Sequence, residues 1–321
     1  MRAVTFTGAG GNEVVAVVTR PDPVPATDEV LVAARFAGVN WADLSQRQGH
    51  YPPPPGAPRD IPGLEVAGVV TAMGDAVRAW HVGDRVFGLV GGGGLADRVV
   101  VHERHVTAVP AGLADDVAAV VPEAYITSHD AVFTQCGLEM GETLLVNGAN
   151  GAVGSAGVRL GLAAGAQVVA NVRSPDTARA LAAEGALVVT PDSAADRVAA
   201  LGGADVVLEL IGAPNLDFDF SALALKGRII IVGTTAGQEG AVSLRTLMGK
   251  RASLRGTMLR ARPLEEKAAA VQAFDRSVVP LLAAGRALPD IDGVFPAAEA
   301  AAALDYLTKP GKAGKVLLDF G

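Results

Sequence analysis

The hydrophobic positions divide the chain into two regions with different repeats. In the first region, up to residue 121, short runs alternate between apolar and polar residues and are separated by turns rich in Gly and Pro. Such alternation is typical of β-strands that bury one face. The predicted strands are residues 14–19, 29–36, 66–73, 84–90 and 96–102. Many short strands joined by such turns predict a partly closed β-barrel.

From residue 122 the rhythm changes, because near-continuous apolar runs alternate with stretches of helical pattern. The predicted strands are residues 143–147, 167–171, 187–189, 205–211 and 228–233, and the predicted helices are residues 152–164, 175–184, 193–201 and 219–225. Strands that are apolar on both faces and that alternate with helices belong in a buried parallel sheet. This region therefore predicts a doubly wound α/β domain of the Rossmann type.

The rest of the chain predicts one more strand, a long helix and a short return. These elements are residues 253–259, 264–284, 291–295, 297–307 and 315–320. We expect the last three to rejoin the first domain. The predicted domains are therefore residues 1–121, completed by residues 286–321, and residues 122–285.

A loop of small residues, 148–154, connects the first predicted parallel strand to a helix; we call it the glycine loop. It resembles the dinucleotide fingerprint G-x-G-x-x-G, with Ala149 in place of the first glycine and Gly151 and Gly154 as the other two. Gly151 lets the backbone approach a pyrophosphate, and Gly154 lets the helix pack closely on its strand. Such loops also serve packing alone, but the alternating strands around this one favour a nucleotide site, with phosphate held by the helix amides.

The end of the next strand decides which nucleotide fits. An NAD site usually carries Asp or Glu about 20 residues past the first glycine, but here the first carboxylate, Asp176, lies past the turn. Arg173 and Ser174 instead offer a fork of donors and a hydroxyl, which suit a 2′-phosphate. The alternative for Arg173 is a solvated turn residue. The sequence predicts NADPH, with NADH as a weaker possibility.

Composition and charge exclude several classes of protein. The net charge of −7, with no basic block, argues against nucleic-acid binding. The single cysteine, Cys136, excludes a disulfide framework and any zinc site that needs two cysteines. The most apolar stretch, 151–172, contains Arg159 and several glycines, so we expect no membrane span; the beginning of the chain lacks a signal-peptide pattern. A cytoplasmic protein is the expectation.

The most distinctive block of sequence, residues 38–56, reads GVNWADLSQRQGHYPPPPG. Other blocks are PGLEVAG at 62–68, VGDRV at 82–86, PEAYIT at 122–127 and GKRASL at 249–254. Together they resemble the zinc-free quinone oxidoreductase branch of the medium-chain dehydrogenase/reductase superfamily, nearest to its p53-inducible and zeta-crystallin-like group, over essentially the whole chain. The resemblance implies a GroES-like catalytic domain beside the Rossmann domain.

The resemblance also implies chemistry without a metal. Zinc enzymes of this superfamily carry a cysteine where this chain has Asn40 and a histidine where it has Leu64. The lobe with four structural cysteines is absent. The cofactor, rather than a Lewis-acid metal, would then do the chemistry.

In relatives, the segment that carries Asn40, Asp43 and Tyr51 faces the nicotinamide. The resemblance implies that Asn40 and Tyr51 donate hydrogen bonds to a carbonyl oxygen as it gains charge. Asp43 would orient its neighbours; alternatively it only begins a helix. Trp41 and Tyr125 would be apolar walls of the substrate pocket, or plain core residues. The further cofactor contacts that the resemblance implies are Thr127, Asn150, Ala152, Val153, Ile211, Val232, Gly233, Thr234, Met258, Leu259, Arg260 and Lys315.

Two departures from the relatives bear on these expectations. Bacterial relatives often have tyrosine at the place of Ser45, so a pocket with two tyrosines is not available. Relatives also often touch the 2′-phosphate with a lysine and a tyrosine beyond residue 174, where this chain has residues such as Asp176, Thr177 and Asp192. The preference for NADPH then depends mainly on Arg173 and Ser174.

The sequence and the resemblance together predict an NADPH-dependent enzyme that transfers hydride to a quinone or a similar conjugated carbonyl compound. An alternative enzyme reduces the double bond of an enoyl thioester or an alkenal. An alternative of another class is a crystallin-like protein that binds NADPH with little catalysis.

The predicted strand 253–259 bears on assembly, because it ends the parallel series with little sequence left to cover its outer edge. An uncovered edge exposes unpaired backbone groups. Relatives pair two such strands about a twofold axis, so a homodimer through residues 251–259 is expected. The alternative is a monomer whose edge is blunted by Arg251 and Arg255.

Overall fold

The structure is a computed structural model that describes all residues from 1 to 321. Its strands are β1 (Arg2–Phe6), β2 (Val15–Thr19), β3 (Glu29–Ala33), β4 (Phe36–Val39), β5 (Glu65–Met73), β6 (Arg85–Leu89), β7 (Arg98–His102), β8 (Val106–Ala108), β9 (Thr143–Asn147), β10 (Gln167–Asn171), β11 (Leu187–Val189), β12 (Ala204–Glu209), β13 (Leu223–Ile231), β14 (Ser253–Gly256), β15 (Ile291–Pro296) and β16 (Lys315–Asp319). Its α-helices are α1 (Trp41–Arg47), α2 (Asp115–Ala118), α3 (Pro122–His129), α4 (Ala152–Ala163), α5 (Arg179–Ala183), α6 (Pro191–Ala200), α7 (Leu216–Ala222), α8 (Leu244–Lys250), α9 (Leu264–Ser277), α10 (Val279–Ala283) and α11 (Ala300–Tyr306). None of the helices is both long and apolar enough to span a membrane.

The chain forms two compact units. The first unit comprises residues 1–126, 259–310 and 314–321, and the second comprises residues 127–258 and 311–313. The sequence assigned residues 259–285 to the second domain, but α9 makes its contacts in the first. The guanidinium of Arg104 pairs with Glu265 at 2.6 Å, and the ring of Phe87 meets that of Phe274 edge-on at 5.5 Å. A long helix after a parallel series looks like one more crossover helix, and its sequence does not reveal these partners.

The first unit is built from three sheets. Five strands form an antiparallel sheet in the order β7-β3-β5-β6-β8, and β1 pairs with β2. The third sheet has the order β15-β16-β4, in which β16 runs antiparallel to β4. This pairing brings the tail of the chain back to the first unit, as predicted. The inner faces of the strands bury valines such as Val30 and Val86.

The second unit contains a six-stranded parallel sheet in the order β11-β10-β9-β12-β13-β14. The first strands along the chain lie at the centre and later strands add outward on both sides, which is the doubly wound order. Leu144, Leu145 and Val146 of β9 are fully buried, because helices cover both faces of the sheet. The predicted Rossmann-type fold is confirmed.

Several predicted boundaries were wrong, and three of them have clear local reasons. The predicted helix 219–225 ends as α7 at Ala222, because β13 begins at Leu223, which pairs with Ala204. The predicted strand 253–259 ends at Gly256, where the register with β13 ends. The predicted helix 264–284 breaks into α9 and α10 near Pro280, whose nitrogen cannot donate a helical hydrogen bond.

Candidate functional site

The glycine loop leaves β9 and ends in the first turn of α4. A Cβ added at Gly154 would lie 2.3 Å from the carbonyl oxygen of Gly148, so the close packing of helix on loop requires glycine there. A Cβ added at Gly151 would meet only the same oxygen, at an ordinary 3.5 Å. The protein therefore leaves space beside Gly151, as a loop that receives a ligand requires.

The start of α4 has the chemistry of an anion site. Its N-cap residue, Gly151, has no side chain to cap the helix, and no acidic residue lies in the first turn. The amides of Ala152 and Val153 belong to the turn whose N–H groups have no acceptor within the helix. Free amides at the positive end of a helix dipole bind phosphate. These residues fit the pyrophosphate of a nicotinamide dinucleotide.

Other predicted contacts of this loop are fixed by hydrogen bonds inside the second unit. The side-chain amide of Asn150 donates to the carbonyl of Lys312 at 3.1 Å. The carbonyl of Val153 accepts from the hydroxyl of Ser128 at 2.5 Å, next to the half-buried Thr127. The Ser128 hydrogen bond ties the glycine loop to α3, on which Thr127 lies.

Arg173 and Ser174 lie just past the end of β10 and are both exposed. Arg173 forms no ion pair, whereas the nearby Asp176 is paired with Arg179 at 2.6 Å. The side chain that would repel a 2′-phosphate is thus already neutralised, and the one that would attract it is free.

The remaining predicted contacts of the second unit lie at the carboxyl ends of β12 and β13, at the same edge of the sheet as the glycine loop. Ile211 follows β12, and its side chain lies over Gly148, where an added Cβ would be 3.0 Å from Cδ1 of Ile211. Val232 and Gly233 follow β13 and donate their amides to the carbonyl of Glu209 at 2.9 and 3.2 Å. Thr234 and Met258 are exposed.

A buried polar cluster beneath this edge was missed by sequence reasoning. The side-chain nitrogen of Asn147 donates to Glu209 at 2.6 Å and to Asp219 at 2.7 Å, and the side-chain nitrogen of Asn171 donates to Oδ1 of Asn147 at 2.8 Å. Burial and the charge of Glu209 raise the pKa of Asp219 to about 8. The available signal was that each of three apolar strands ends in a polar residue, Asn147, Asn171 or Glu209. Nothing in the sequence indicates that Asp219 contacts these residues.

In the first unit, Asn40 and Asp43 begin α1. The carboxylate of Asp43 accepts the amide of Asn40 at 2.8 Å and that of Gly63 at 2.9 Å. Burial raises the pKa of Asp43 to about 7, although these two amides act in the opposite direction. Asp43 therefore fixes the start of the helix and a neighbouring turn, which matches the helix-start alternative.

Asn40 and Lys315 belong to a buried ionic cluster. The ammonium of Lys315 lies 2.5 Å from Oδ1 of Asn40, 2.8 Å from Glu65 and 3.3 Å from Glu123. The nitrogen of Asn40 donates to Glu65 at 3.0 Å and to the carbonyl of Gly38 at 3.3 Å. Both hydrogens of this amide thus have acceptors within the unit.

The charges of this cluster support one another. Burial alone would lower the pKa of Lys315, but Glu65 and Glu123 outweigh it, so the pKa is raised and the ammonium stays charged. Burial raises the pKa of Glu123, and the ammonium limits the rise. The cluster positions the side chain of Asn40.

The two glutamates lie in the sequence blocks PGLEVAG and PEAYIT, and these blocks are the signal that could have revealed them.

Arg260 organises the segment around Tyr51. Its guanidinium donates to the carbonyls of Tyr51 and Gly91, each at 2.8 Å, and to Oε1 of Gln46, which sequence reasoning missed. The same group lies 4.7 Å from the centre of the Tyr51 ring. Arg260 and its buried neighbour Leu259 belong to the first unit.

The aromatic residues of the first unit differ in exposure. Tyr51 is half-buried; burial raises its pKa, so the phenol keeps its proton as a hydrogen-bond donor. Trp41 is 49% exposed. Tyr125 is buried and its hydroxyl donates to the carbonyl of Ala287 at 2.6 Å, as in a core residue. Trp41 and Tyr51 thus present surface that an acceptor can contact, and Tyr125 does not.

No group of three or more His, Cys, Asp or Glu side chains is arranged to hold a metal ion. Asn40, at the position where zinc enzymes carry a cysteine, has its amide engaged by Lys315 and Glu65. The absence of zinc stays a prediction.

Comparisons with known proteins agree with this architecture. The model of the alcohol dehydrogenase GroES-like domain matches residues 26–111, and that of the zinc-binding dehydrogenases matches residues 152–276. The quinone oxidoreductase of Lama guanicoe is 32% identical over 327 aligned positions, which cover 99% of this chain and 97% of that protein.

Solved structures show the same fold. A quinone oxidoreductase from Pseudomonas syringae pv. Tomato DC3000 has a TM-score of 0.84 and 27% identity, and each chain is covered to 99%. An alcohol dehydrogenase superfamily protein from Novosphingobium aromaticivorans has a TM-score of 0.88 and 29% identity, with both chains fully covered. The enoyl reductase CurK, at 23% identity and a TM-score of 0.84, shares the fold. On its full-length similarity, its GroES-like domain and its doubly wound sheet, the chain belongs to the medium-chain dehydrogenase/reductase superfamily and is an oxidoreductase related to the quinone oxidoreductases.

Proposed function

We propose that the protein is an NADPH-dependent reductase that transfers hydride to a quinone or a similar conjugated carbonyl compound without a metal. The observation that carries the proposal is the glycine loop, with space beside Gly151 and free amides at the start of α4. Similarity to quinone oxidoreductases over nearly the whole chain supports the class of acceptor.

In this proposal the second unit holds the cofactor. The amides of Ala152 and Val153 bind the pyrophosphate, and exposed Arg173 and Ser174 bind the 2′-phosphate. The bound cofactor supplies the hydride of its nicotinamide ring. An NAD site would use a carboxylate in this turn to bind the ribose hydroxyls. The carboxylate of Asp176 is instead paired with Arg179.

Tyr51 is the donor that we assign to the acceptor's oxygen. Its hydroxyl has no hydrogen-bond partner in the first unit, and its ring is held beside the guanidinium of Arg260. A positive charge near the phenol favours negative charge on an oxygen that accepts its hydrogen bond. Asn40, whose amide hydrogens are occupied, acts as a framework residue instead of a donor.

A quinone suits a site with few donors. The reduced oxygens of a quinone take protons from water, so little acid catalysis is needed. Reduction of an enoyl thioester requires both stabilisation of the enolate and protonation of a carbon. The phenol of Tyr51 would have to support both. This difference favours quinones over the enoyl alternative.

The test is a panel of acceptors assayed by the loss of nicotinamide absorbance with NADPH and, separately, with NADH. Ortho- and para-quinones are expected to be reduced, and NADPH is expected to act at lower concentration than NADH. Turnover of crotonyl-CoA but of no quinone would favour the enoyl-reductase alternative. Bound NADPH that no acceptor oxidises would favour the crystallin-like alternative.

The same proposal includes a homodimer formed through residues 251–259. β14 is the outermost strand of its sheet, and no strand pairs with its other edge. Light scattering at micromolar concentration is expected to give twice the chain mass of 32.5 kDa. Leu254→Pro is expected to halve that mass, and a monomeric unmodified protein would refute the dimer.

A further inference from the structure

Glu209, the last residue of β12, is fully buried and accepts four N–H groups but no cation. One oxygen accepts the backbone amides of Ile211 and Gly212 at 2.5 and 2.6 Å. The other accepts the side-chain amides of Asn147 and Asn215 at 2.6 and 3.1 Å. Only an ionised carboxylate uses both oxygens as acceptors in this way, so Glu209 carries a charge.

Asp219 on α7 is also fully buried, and its environment differs from that of Glu209. Oδ1 accepts from the nitrogen of Asn147 at 2.7 Å, whereas Oδ2 has no donor. Because one amide nitrogen donates to both carboxyl groups, the two lie close together. A second negative charge there would meet both repulsion and desolvation, so Oδ2 is the place for a proton.

The contacts of Glu209 reach the proposed cofactor site. The two backbone amides it accepts form the turn after β12. In that turn Gly212 has a φ of 103°, and an added Cβ would lie 2.4 Å from the carbonyl oxygen of Gly237. The side chain of Ile211 packs over Gly148 in the glycine loop. The orientation of this turn therefore depends on Glu209, and the shape of the glycine loop depends on the turn.

We propose that Glu209 and Asp219 share one proton, and that the pair positions the Ile211–Gly212 turn against the glycine loop so that the loop can bind the cofactor. The two acids are positioning residues, since neither touches the cofactor. The inference rests on the proposed role of the glycine loop. Its test therefore includes a measurement on the protein without cofactor.

Few other charges bear on the pair. The neighbours that face it from β9, β10 and the turn are the amides of Asn147, Asn171 and Asn215, and Glu209 is the charged group that acts on Asp219. The other charged residues on the surrounding elements are exposed or bonded elsewhere. Those that are exposed are Asp217 on α7, Asp192, Asp196 and Arg197 on α6, Arg245 on α8 and Lys226 on β13. Those that are bonded elsewhere are Lys250 on α8, which donates to the carbonyls of Ser221 and Leu223, Arg228 on β13, which pairs with Glu142, Asp205 on β12, which accepts the amide of Thr143, and Asp130, which accepts from Thr257.

The first experiment measures the dissociation constants of NADPH and NADH against pH by calorimetry. The shared proton leaves as pH rises through about 8, so the affinity of the unmodified protein for both nucleotides is expected to fall there. Asp219→Asn keeps a hydrogen toward Glu209 at every pH; it is expected to bind as the unmodified protein does at pH about 7 and to show no fall above pH about 8. NADH has no 2′-phosphate, so its profile excludes titration of the ligand as the cause.

Asp217→Asn, on the exposed face of the same helix, is the matched control and is expected to keep the unmodified profile. Glu209→Gln replaces an acceptor oxygen with an NH₂ group and is expected to raise both dissociation constants about tenfold at all pH values. Where the nucleotides bind, the proposal is wrong if Asp219→Asn keeps the fall in affinity or if the unmodified protein shows none.

The second experiment follows amide hydrogen exchange at Ile211 and Gly212 without cofactor. Exchange of these two amides, corrected for its intrinsic pH dependence, is expected to accelerate above pH about 8 in the unmodified protein but not in Asp219→Asn. Unchanged protection would refute the proton-sharing pair. If this experiment succeeds but no nucleotide binds at any pH, the proposed function has failed and the pair itself stands.

Discussion

Each unit of the molecule contains a polar cluster with two neighbouring acidic side chains, and the two clusters neutralise these acids differently. In the first unit, Glu65 and Glu123 surround the ammonium of Lys315. In the second, Glu209 and Asp219 lie on either side of the amide of Asn147, with a proton where the first unit has a cation. A lysine amid two glutamates keeps its charge well above neutral pH, whereas a shared proton leaves near pH 8. The first cluster is therefore a fixed support, and the second responds to pH.

The largest effect is expected from removing the fixed cation. Lys315→Met leaves Glu65 and Glu123 without their cation, which destabilises by about 3–5 kcal/mol. The free energy of unfolding from urea titration measures the loss. Lys309→Met, which removes an exposed lysine near the ring of Tyr306, is the control and is expected to change stability by less than about 0.5 kcal/mol. Equal stability of both variants would mean that the cluster is not ionic.

Besides the two buried clusters, the exposed guanidinium of Arg173 is a charge that forms no ion pair in the structure. Arg173→Ala is expected to weaken NADPH binding about tenfold or more, because a charge-assisted hydrogen bond to phosphate contributes roughly 1.5–3 kcal/mol. NADH binding is expected to stay unchanged. Arg197→Ala, which removes an exposed arginine on α6, is the control and is expected to leave both affinities unchanged. Equal losses for both nucleotides in Arg173→Ala would disprove the 2′-phosphate site.

The pH dependence of stability tests the second cluster directly. Asp219 keeps its proton up to about pH 8 in the folded protein but has a pKa near 3.8 when unfolded. Between these values the folded state binds the extra proton, so the free energy of unfolding falls as pH rises. Asp219→Asn removes this slope, and its stability advantage over the unmodified protein should grow from pH about 5 to pH about 8. Thermal unfolding across that range measures it; a constant difference would contradict the assignment of the proton.

The smallest effect, none at all, is expected from chelation. Asn40 and Leu64 stand where zinc enzymes have ligands, and the amide of Asn40 is bonded to Lys315 and Glu65. Elemental analysis of the purified protein is expected to find no stoichiometric zinc, and treatment with a chelator should leave reductase activity intact. An activity that depends on a bound metal would overturn the proposed mechanism.

The sequence predicted some elements to the residue. The bounds of β9, β10 and β11 match the prediction, because their apolar runs are bounded by turns. The glycine loop was also predictable from the sequence. A backbone that turns sharply and packs closely requires small residues, and these are visible in the sequence.

The polar clusters were not predictable in the same way. Lys315 was singled out as a residue that approaches the cofactor, which stays a prediction. Its ammonium bonds to Asn40, 275 residues away in sequence, and that partner was not predicted. Asp219 lies on a helix whose other acids, such as Asp217, are exposed, so its burial has no local signature. Side-chain partners set by tertiary packing leave no periodic trace in the sequence.

The pairing of β16 with β4 has a consequence for the order of folding. The second unit needs almost only the continuous stretch 127–258, whereas the first needs both ends of the chain. During synthesis the parallel sheet is complete in sequence before the ribosome has made the strand that carries Lys315. Until that strand arrives, Glu65 and Glu123 lack their cation. The first unit therefore cannot complete its long-range contacts until β16 has been synthesised.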